Sequence, residues 1–113
     1  MQILALSRRL PGVSDAQLTP LATAAAAAAF ALYAEGSFRS MHLLPDRPGA
    51  MVVPECADLD QARQVMAGLP MVKAGLIDFD YSRMLPYTAV ASLFRDEFKA
   101  SDHATAEART GHR

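Results

Sequence analysis

The stretch "IDFDYSRM", residues 77–84, alternates apolar and polar side chains and predicts a β-strand. Successive side chains of a strand point to opposite faces, so Ile77, Phe79 and Tyr81 share one face. Asp78 and Asp80 then share the other. We expect the apolar face to lie against helices and the two aspartates to point away from them.

The segments before this strand predict one helix and two further strands. Asp58, with Gln61 three residues later, is typical of a helix start, and Gly68 followed by Pro70 ends that helix. Two further strands come before the helix. They are predicted over residues 37–44 and 50–57, with the turn "PDRPG" at 45–49 between them and with Pro54 at an edge or a strand end.

The N-terminal part adds one strand and one long helix. Residues 2–8 predict the strand, and "SDAQ" from Ser14 to Gln17 is a capping box for a helix that runs to about Ala34. The order β-α-β-β-α-β predicts an α+β fold of the ferredoxin-like type, with an antiparallel sheet and both helices on one face. A C-terminal helix is predicted over 86–99, so the domain covers 1–99, and 100–113 is predicted to be a mobile tail.

The composition indicates a single soluble domain of the cytoplasm. The 113 residues carry a net charge of −1 and one cysteine, which gives no electrostatic basis for binding nucleic acid or an anionic membrane. Residues 17–34 lack charge, but their alanines and threonines are only weakly hydrophobic, so we do not expect a membrane span. The three histidines have no metal-ligand spacing, and we expect neither a metal nor an organic cofactor.

The run "TAAAAAAFALY", Thr23 to Tyr33, has no charge on any side of its helix. At 100° per residue, Leu18, Ala25 and Ala29 fall on a stripe that should lie on the sheet, and Phe30 lies about 120° away. High helix propensity of alanine is one explanation. The other is a contact between subunits through Phe30 and Ala24–Ala29, which predicts a homodimer or a ring of dimers.

The segment "ECADLDQARQVMAGLPMVKAGLIDFDYSRMLPY", residues 55–87, resembles the corresponding part of the muconolactone delta-isomerases. The shared features are a polar helix start, a Leu-Pro after that helix, an alternating last strand and a proline soon after it. The "RRLP" after the first strand and the "EGSFR" after the first helix also fit. The resemblance extends over about residues 1–87.

This resemblance implies a dimeric α+β barrel with a small-molecule pocket in each subunit. It also implies a reaction that moves a double bond within a lactone, which needs a base and an acid for the proton. The family carries a lysine and acidic residues on its first helix, but the matching positions here are Ala22 to Ala27. The resemblance therefore gives no catalytic residue on that helix. YciI-like proteins and small antibiotic-biosynthesis monooxygenases share the same element order.

Polar residues elsewhere on the strands are the remaining candidates for a site. Arg39 is predicted to share a face with Asp78 and Asp80. It would form an ion pair with one of them across the dimer's sheets, or else hold a substrate carboxylate in a bidentate fork.

His42 is predicted to face the alanine helix, beside a pocket that the small side chains leave open. It is either a histidine bonded to backbone or a general base. The base would need a partner, and the candidates are Tyr33, Tyr81 and Ser7.

Two functions remain open from the sequence. The first is a muconolactone-isomerase-like enzyme that shifts a proton on a lactone or aromatic-derived acid without a cofactor. The second is a module on the same fold that binds a ligand or assembles without chemistry of its own. A cavity beside Ala24–Ala29 that contains His42 would favour the first.

Overall fold

A computed structural model describes residues 1–95 of the chain. The strands are β1 (Ile3–Arg9), β2 (Phe38–Leu43), β3 (Ala50–Pro54) and β4 (Ile77–Arg83). The helices are α1 (Asp15–Leu18), α2 (Ala22–Ala34), α3 (Leu59–Ala67) and α4 (Pro70–Lys73). Short 3₁₀ segments lie at Thr19–Leu21 and Thr88–Phe94.

The four strands form one antiparallel sheet in the order β2-β3-β1-β4. Each βαβ unit therefore leaves a gap that a strand of the other unit fills, which is the ferredoxin-like arrangement. The predicted α+β fold is confirmed. Pro54 ends β3 inside the sheet, so of its two predicted positions the strand end is the one adopted.

One face of the sheet carries the core and both long helices. Ile3, Ala5 and Ser7 of β1 point to this face and are buried, and the register places Phe79 opposite Ser7. We call this the helix face, and the other side the open face. The core on the helix face is completed by side chains from the strands and from α3 and the loop after it: Phe38, Val52, Ala62, Met66 and Leu69.

The first helix is not continuous, contrary to the prediction of one helix to Ala34. A 3₁₀ turn at Thr19–Leu21 separates α1 from α2. Pro20 explains the break, because proline has no amide proton and its ring collides with the carbonyl one turn earlier. The predicted stripe is confirmed: Leu18, Ala25 and Ala29 are half-buried towards the sheet, while Phe30 is 64% exposed.

The segment Asp15–Ala34 is long and apolar enough to cross a membrane by length and composition, with a mean hydropathy of 1.3. None of its residues is fully buried within the chain. Its Ala28, Ala29 and Leu32 nevertheless pack against the core of the sheet. In this fold the segment is a helical layer on a sheet, interrupted at Pro20.

A β-bulge in β2 changes which side chains face the helices. Phe38 lies opposite Pro54 and Ser40 lies opposite Val53, so two residue steps of β2 match one step of β3. Arg39 is the extra residue. Every side chain after the bulge is therefore on the face opposite to the one that plain alternation from Phe38 predicts.

The chain after β4 differs from the predicted helix over 86–99. Its described part forms a 3₁₀ segment at Thr88–Phe94 in place of an α-helix starting at Pro86. Leu85, Tyr87, Leu93 and Phe94 are each at least half exposed, so no packing against the domain supports a longer helix there. The rest of the predicted helix and the predicted mobile tail at 100–113 lie outside the described residues.

The start of α3 provides a first test of the fold. The Asp58 carboxylate accepts a hydrogen bond from the Gln61 amide at 2.8 Å, as predicted for the helix cap. Replacing Asp58 with alanine should lower the free energy of unfolding by about 1 kcal/mol, because one amide of the first turn loses its partner. Urea denaturation measures this change. Asp58→Asn keeps the acceptor and should stay close to the wild type; an equal loss for both variants would contradict the cap.

Candidate active site

A cavity of about 390 Å³ lies between helix α2 and the helix face of the sheet. Ala25 and Ala29 line it from the helix side, and Phe38, Val52 and Phe79 line it from the sheet. Alanine fills little of the space between these layers, and this explains why the cavity exists. The predicted pocket beside the alanine helix is thus present, and its volume lies in the range of about 300–1,000 Å³ typical of small-molecule sites.

Ser7 is the buried polar side chain of this cavity. Its hydroxyl accepts a hydrogen bond from the Ala50 amide at 2.8 Å, and its carbonyl accepts one from Arg47 Nη2 at 3.2 Å. Gly49 and Ala50 line the same end of the cavity. The β2–β3 turn therefore closes over Ser7 and forms the polar end of an otherwise apolar space.

Two arginines also line the cavity, and both are paired with carboxylates. Arg8 Nε lies 3.1 Å from Asp80 Oδ1, and its Nη2 lies 3.7 Å from Asp78 Oδ2. Arg9 forms an ion pair with Asp15 at the start of α1. Their positive charges are therefore largely balanced before any ligand enters.

The cavity has no side chain that exchanges a proton near neutral pH. Among the described residues, none of those that line it is His, Asp, Glu, Lys, Cys or Tyr. On the α2 side the lining consists of Ala25 and Ala29. The Ser7 hydroxyl and the paired Arg9 are the polar side chains that the subunit itself offers to a ligand there, because the Arg8 guanidinium pairs with Asp78 and Asp80 on the open face.

His42 does not face the alanine helix, so its predicted placement is wrong. The bulge at Arg39 puts Met41 and Leu43 on the helix face, opposite Val52 and Ala50. His42 lies opposite Met51 on the open face, where it is exposed. It is therefore on the other side of the sheet from the cavity and from Ser7, and its predicted role as a base has no support from this position.

The charged candidates lie on or beside the open face. Asp78 and Asp80 point there as predicted, but both pair with Arg8 of the neighbouring strand within the subunit. Arg39 Nε lies 3.4 Å from Glu55 Oε1 instead. The hydrogen bond from the N-terminal ammonium to Glu55, at 2.6 Å, is the main reason that the pKa of this carboxyl is lowered.

The tyrosine candidates lie outside the cavity. Tyr33 is 48% exposed near the end of α2. Tyr81 is half-buried on the helix face of β4, where the Arg63 guanidinium lies 5.6 Å from its ring centroid. Burial is the main reason that the pKa of the Tyr81 hydroxyl is raised, and a tyrosine hydroxyl is already protonated at neutral pH without this shift. Of the predicted site residues, Ser7 is the one that the structure places in the cavity.

Cys56 is buried, and this burial raises the pKa of its thiol. A protonated, enclosed thiol is a poor nucleophile. Within residues 1–95, no group of three His, Cys, Asp or Glu side chains is arranged to hold a metal ion.

Sequence reasoning missed the β2–β3 turn as part of the site. Gly49 reads from the sequence as a turn glycine, and its contact with Ser7 depends on the pairing of β1 with β3. Leu43 was missed because the bulge moves it to the helix face, at the cavity. The turn in the sequence was enough to expect a positive φ at Gly49, which the structure has. It gave no indication that Ser7 would lie beside this glycine.

Comparison with known proteins gives structural likenesses and no match to a sequence family. No protein-family model matches the chain, and no curated protein matches it in sequence. Among solved structures it resembles 5-chloro-2-hydroxyhydroquinone dehydrochlorinase (TftG) from Burkholderia phenoliruptrix, in complex with 2,5-dihydroxybenzoquinone. The TM-score is 0.62 at 20% identity, covering 75% of this chain and 94% of that chain. The two proteins share the fold.

Proposed function

We propose that this chain is a small-molecule enzyme of the muconolactone-isomerase-like group, and that its ligand is a single-ring compound bound between α2 and the sheet. The cavity of about 390 Å³ is the observation that carries the proposal. An apolar cavity of about 150 Å³ is enough to hold benzene, so this one has room for a substituted ring. Phe38 and Phe79 supply flat apolar surface for such a ring.

The structural likeness supports the same class of ligand. TftG has this fold and was solved with 2,5-dihydroxybenzoquinone, a six-membered ring with oxygen substituents. The motifs of residues 55–87 support a lactone or aromatic-derived acid. Fold alone does not choose a reaction, so the proposal depends on the cavity and on those motifs together.

A second candidate function is supported by the lack of proton-transfer groups in the cavity. A base that removes a proton next to a carbonyl must reach it within hydrogen-bonding distance. The described residues that line the cavity include no such base. The alternative is therefore a protein of the same fold that binds a ring compound, or assembles, without converting it.

Self-association is part of the proposal. Helix α2 has no fully buried residue, its outer side is uncharged, and Phe30 on that side is 64% exposed. A second copy of the chain, seated on Phe30 and on the outward residues of Ala24–Ala29, would remove this apolar surface from water. We propose a homodimer or a ring of dimers in the cytoplasm.

Filling the cavity tests the binding proposal. Ala25→Phe places a large ring between α2 and the sheet and should weaken binding of 2,5-dihydroxybenzoquinone at least tenfold, measured by calorimetric titration. Ala16→Phe is the matched control, because Ala16 of α1 is exposed and lies outside both the cavity and the proposed subunit contact. It should bind as the wild type does. Equal binding by all three proteins would contradict the proposed site.

Turnover separates the two candidate functions. Muconolactone incubated with the wild-type protein should isomerise faster than in buffer, as followed by proton NMR. The Ala25→Phe protein should lose this acceleration. Ring-compound binding without any acceleration would favour the module that binds but does not convert.

A further inference from the structure

Ser7 has a hydrogen-bonding capacity that the chain does not use. A serine hydroxyl has one proton to donate and two lone pairs to accept with. The Ala50 amide occupies one lone pair at 2.8 Å. Among residues 1–95, no group accepts the Ser7 hydroxyl proton. Ser7 is only 7% exposed and lines the cavity, so this unused donor lies at the surface of the space that a ligand would fill.

The turn holds this hydroxyl in place through an unusually close approach of Gly49. A Cβ atom at position 49 would lie 2.9 Å from Ser7 Oγ, closer than real Cβ atoms come, and 3.0 Å from Ser7 O, which is a tight contact. The φ of Gly49, +121°, is also one that other residues rarely adopt. With the Ala50 amide fixed on one lone pair, the hydroxyl proton is left to point elsewhere, and the cavity is beside it.

The charges around the cavity select the kind of oxygen that would accept this proton. A buried carboxylate needs an available cation beside it. Of the two arginines that line the cavity, Arg8 is paired with Asp78 and Asp80, and Arg9 with Asp15. Arg47 lies at the same end but does not line the cavity, and its Nη2 donates to the Ser7 carbonyl. The remaining lining is apolar apart from Ser7. An uncharged carbonyl oxygen fits these surroundings better than a carboxylate does, since it needs one donor and little desolvation.

We propose that Ser7 is a ligand-binding residue that donates its hydroxyl proton to a carbonyl oxygen on the ring of the bound molecule. This inference rests on the proposed function, because it uses the same cavity. Within the proposed lactones and aromatic-derived acids, it places an uncharged ring carbonyl, such as that of a lactone, and not a carboxylate at the Ser7 end of the cavity. Gly49 and Ala50 act as positioning residues, since they hold the serine and do not themselves bond the ligand.

Two probes that differ only at the acceptor test this donor. Acetophenone carries a carbonyl on its ring, and α-methylstyrene carries a C=CH₂ group of similar shape. We expect Ser7→Ala to weaken acetophenone binding about three- to tenfold, the contribution of one hydrogen bond, and to change α-methylstyrene binding less than twofold. NMR titrations that follow the Ala50 amide give both dissociation constants. Ser40→Ala, on the open face, should change neither.

Each other outcome has a defined meaning. An equal loss for both probes in Ser7→Ala would overturn the donor role and leave a ring-binding cavity. If Ser7→Ala binds both probes as tightly as the wild type does, the donor role is likewise overturned. If neither probe binds the wild type, the proposed cavity function fails together with this inference. If Ser7→Ala does not fold, Ser7→Cys replaces it; its weak donor should reduce acetophenone binding selectively, and an equal effect on both probes would count against the proposal.

Discussion

Replacing Phe38 with alanine should lower the free energy of unfolding by about 3–5 kcal/mol. Phe38 is 1% exposed and belongs to the core cluster that joins the sheet to α3 through Met66. It also lies at the bulge of β2, opposite Pro54. Removing its ring both exposes apolar surface and leaves a hole that the surrounding side chains only partly close. Domains of this size are stable by about 5–15 kcal/mol, so a large share of the stability is lost.

Guanidinium denaturation followed by circular dichroism measures the change for Phe38→Ala. Phe94→Ala is the matched control, because it removes the same ring from a side chain that is 71% exposed. The control should lie within about 0.5 kcal/mol of the wild type. The contradicting result would be a fall in the free energy of unfolding of less than about 1 kcal/mol for Phe38→Ala, with an unchanged dependence of that free energy on guanidinium concentration. The packing of the sheet against α3 would then not depend on this ring.

The architecture was predictable because its signals are local and repeated. Alternation over Ile77–Arg83 was enough to assign each of its side chains to a face, and the structure confirms that Phe79 is buried while Asp80 points away. The stripe through Ala25 and Ala29 was likewise readable from a period of 3.6 residues. These patterns depend only on neighbours in the chain, so one sequence is enough to read them.

The site was less predictable because one extra residue reversed a strand. From Phe38 onward, alternation placed His42 on the helix face, but the bulge at Arg39 puts it on the other. A bulge adds no distinctive residue to the sequence, since Arg39 is an ordinary strand residue in composition. The prediction of His42 as a general base at the cavity therefore failed because of a bulge of a single residue.

The polar end of the cavity shows a second limit. Ser7 meets Ala50 across 43 positions of the chain, a contact that exists only after β1 pairs with β3. The sequence analysis predicted Ser7 as a possible partner of His42, but in the structure Ser7 contacts the turn at Gly49. The local sequence pattern shows that these residues belong to a strand and to a turn. It does not show that the strand and the turn are in contact.

Replacing Phe30 with glutamate should reduce the mass of the particle in light scattering by a factor of two or more. This prediction tests the proposed contact through α2. A carboxylate in the middle of an apolar contact is desolvated without a partner, at a cost of about 3–5 kcal/mol. In a two-fold contact between identical copies the substitution enters twice, so association should weaken at least a hundredfold. A fully dissociated protein would have the mass of a single chain, 12.1 kDa.

Ala31→Glu is the control for this experiment. It adds the same charge to the same helix at the next position, where the side chain is exposed and points about 100° away from Phe30. Ala31→Glu should keep the wild-type mass, and both variants should keep the wild-type circular dichroism. If Phe30→Glu also keeps the wild-type mass, the exposed ring is not a subunit contact. The uncharged side of α2 then reflects the helix propensity of alanine, which favours the same residues without any partner.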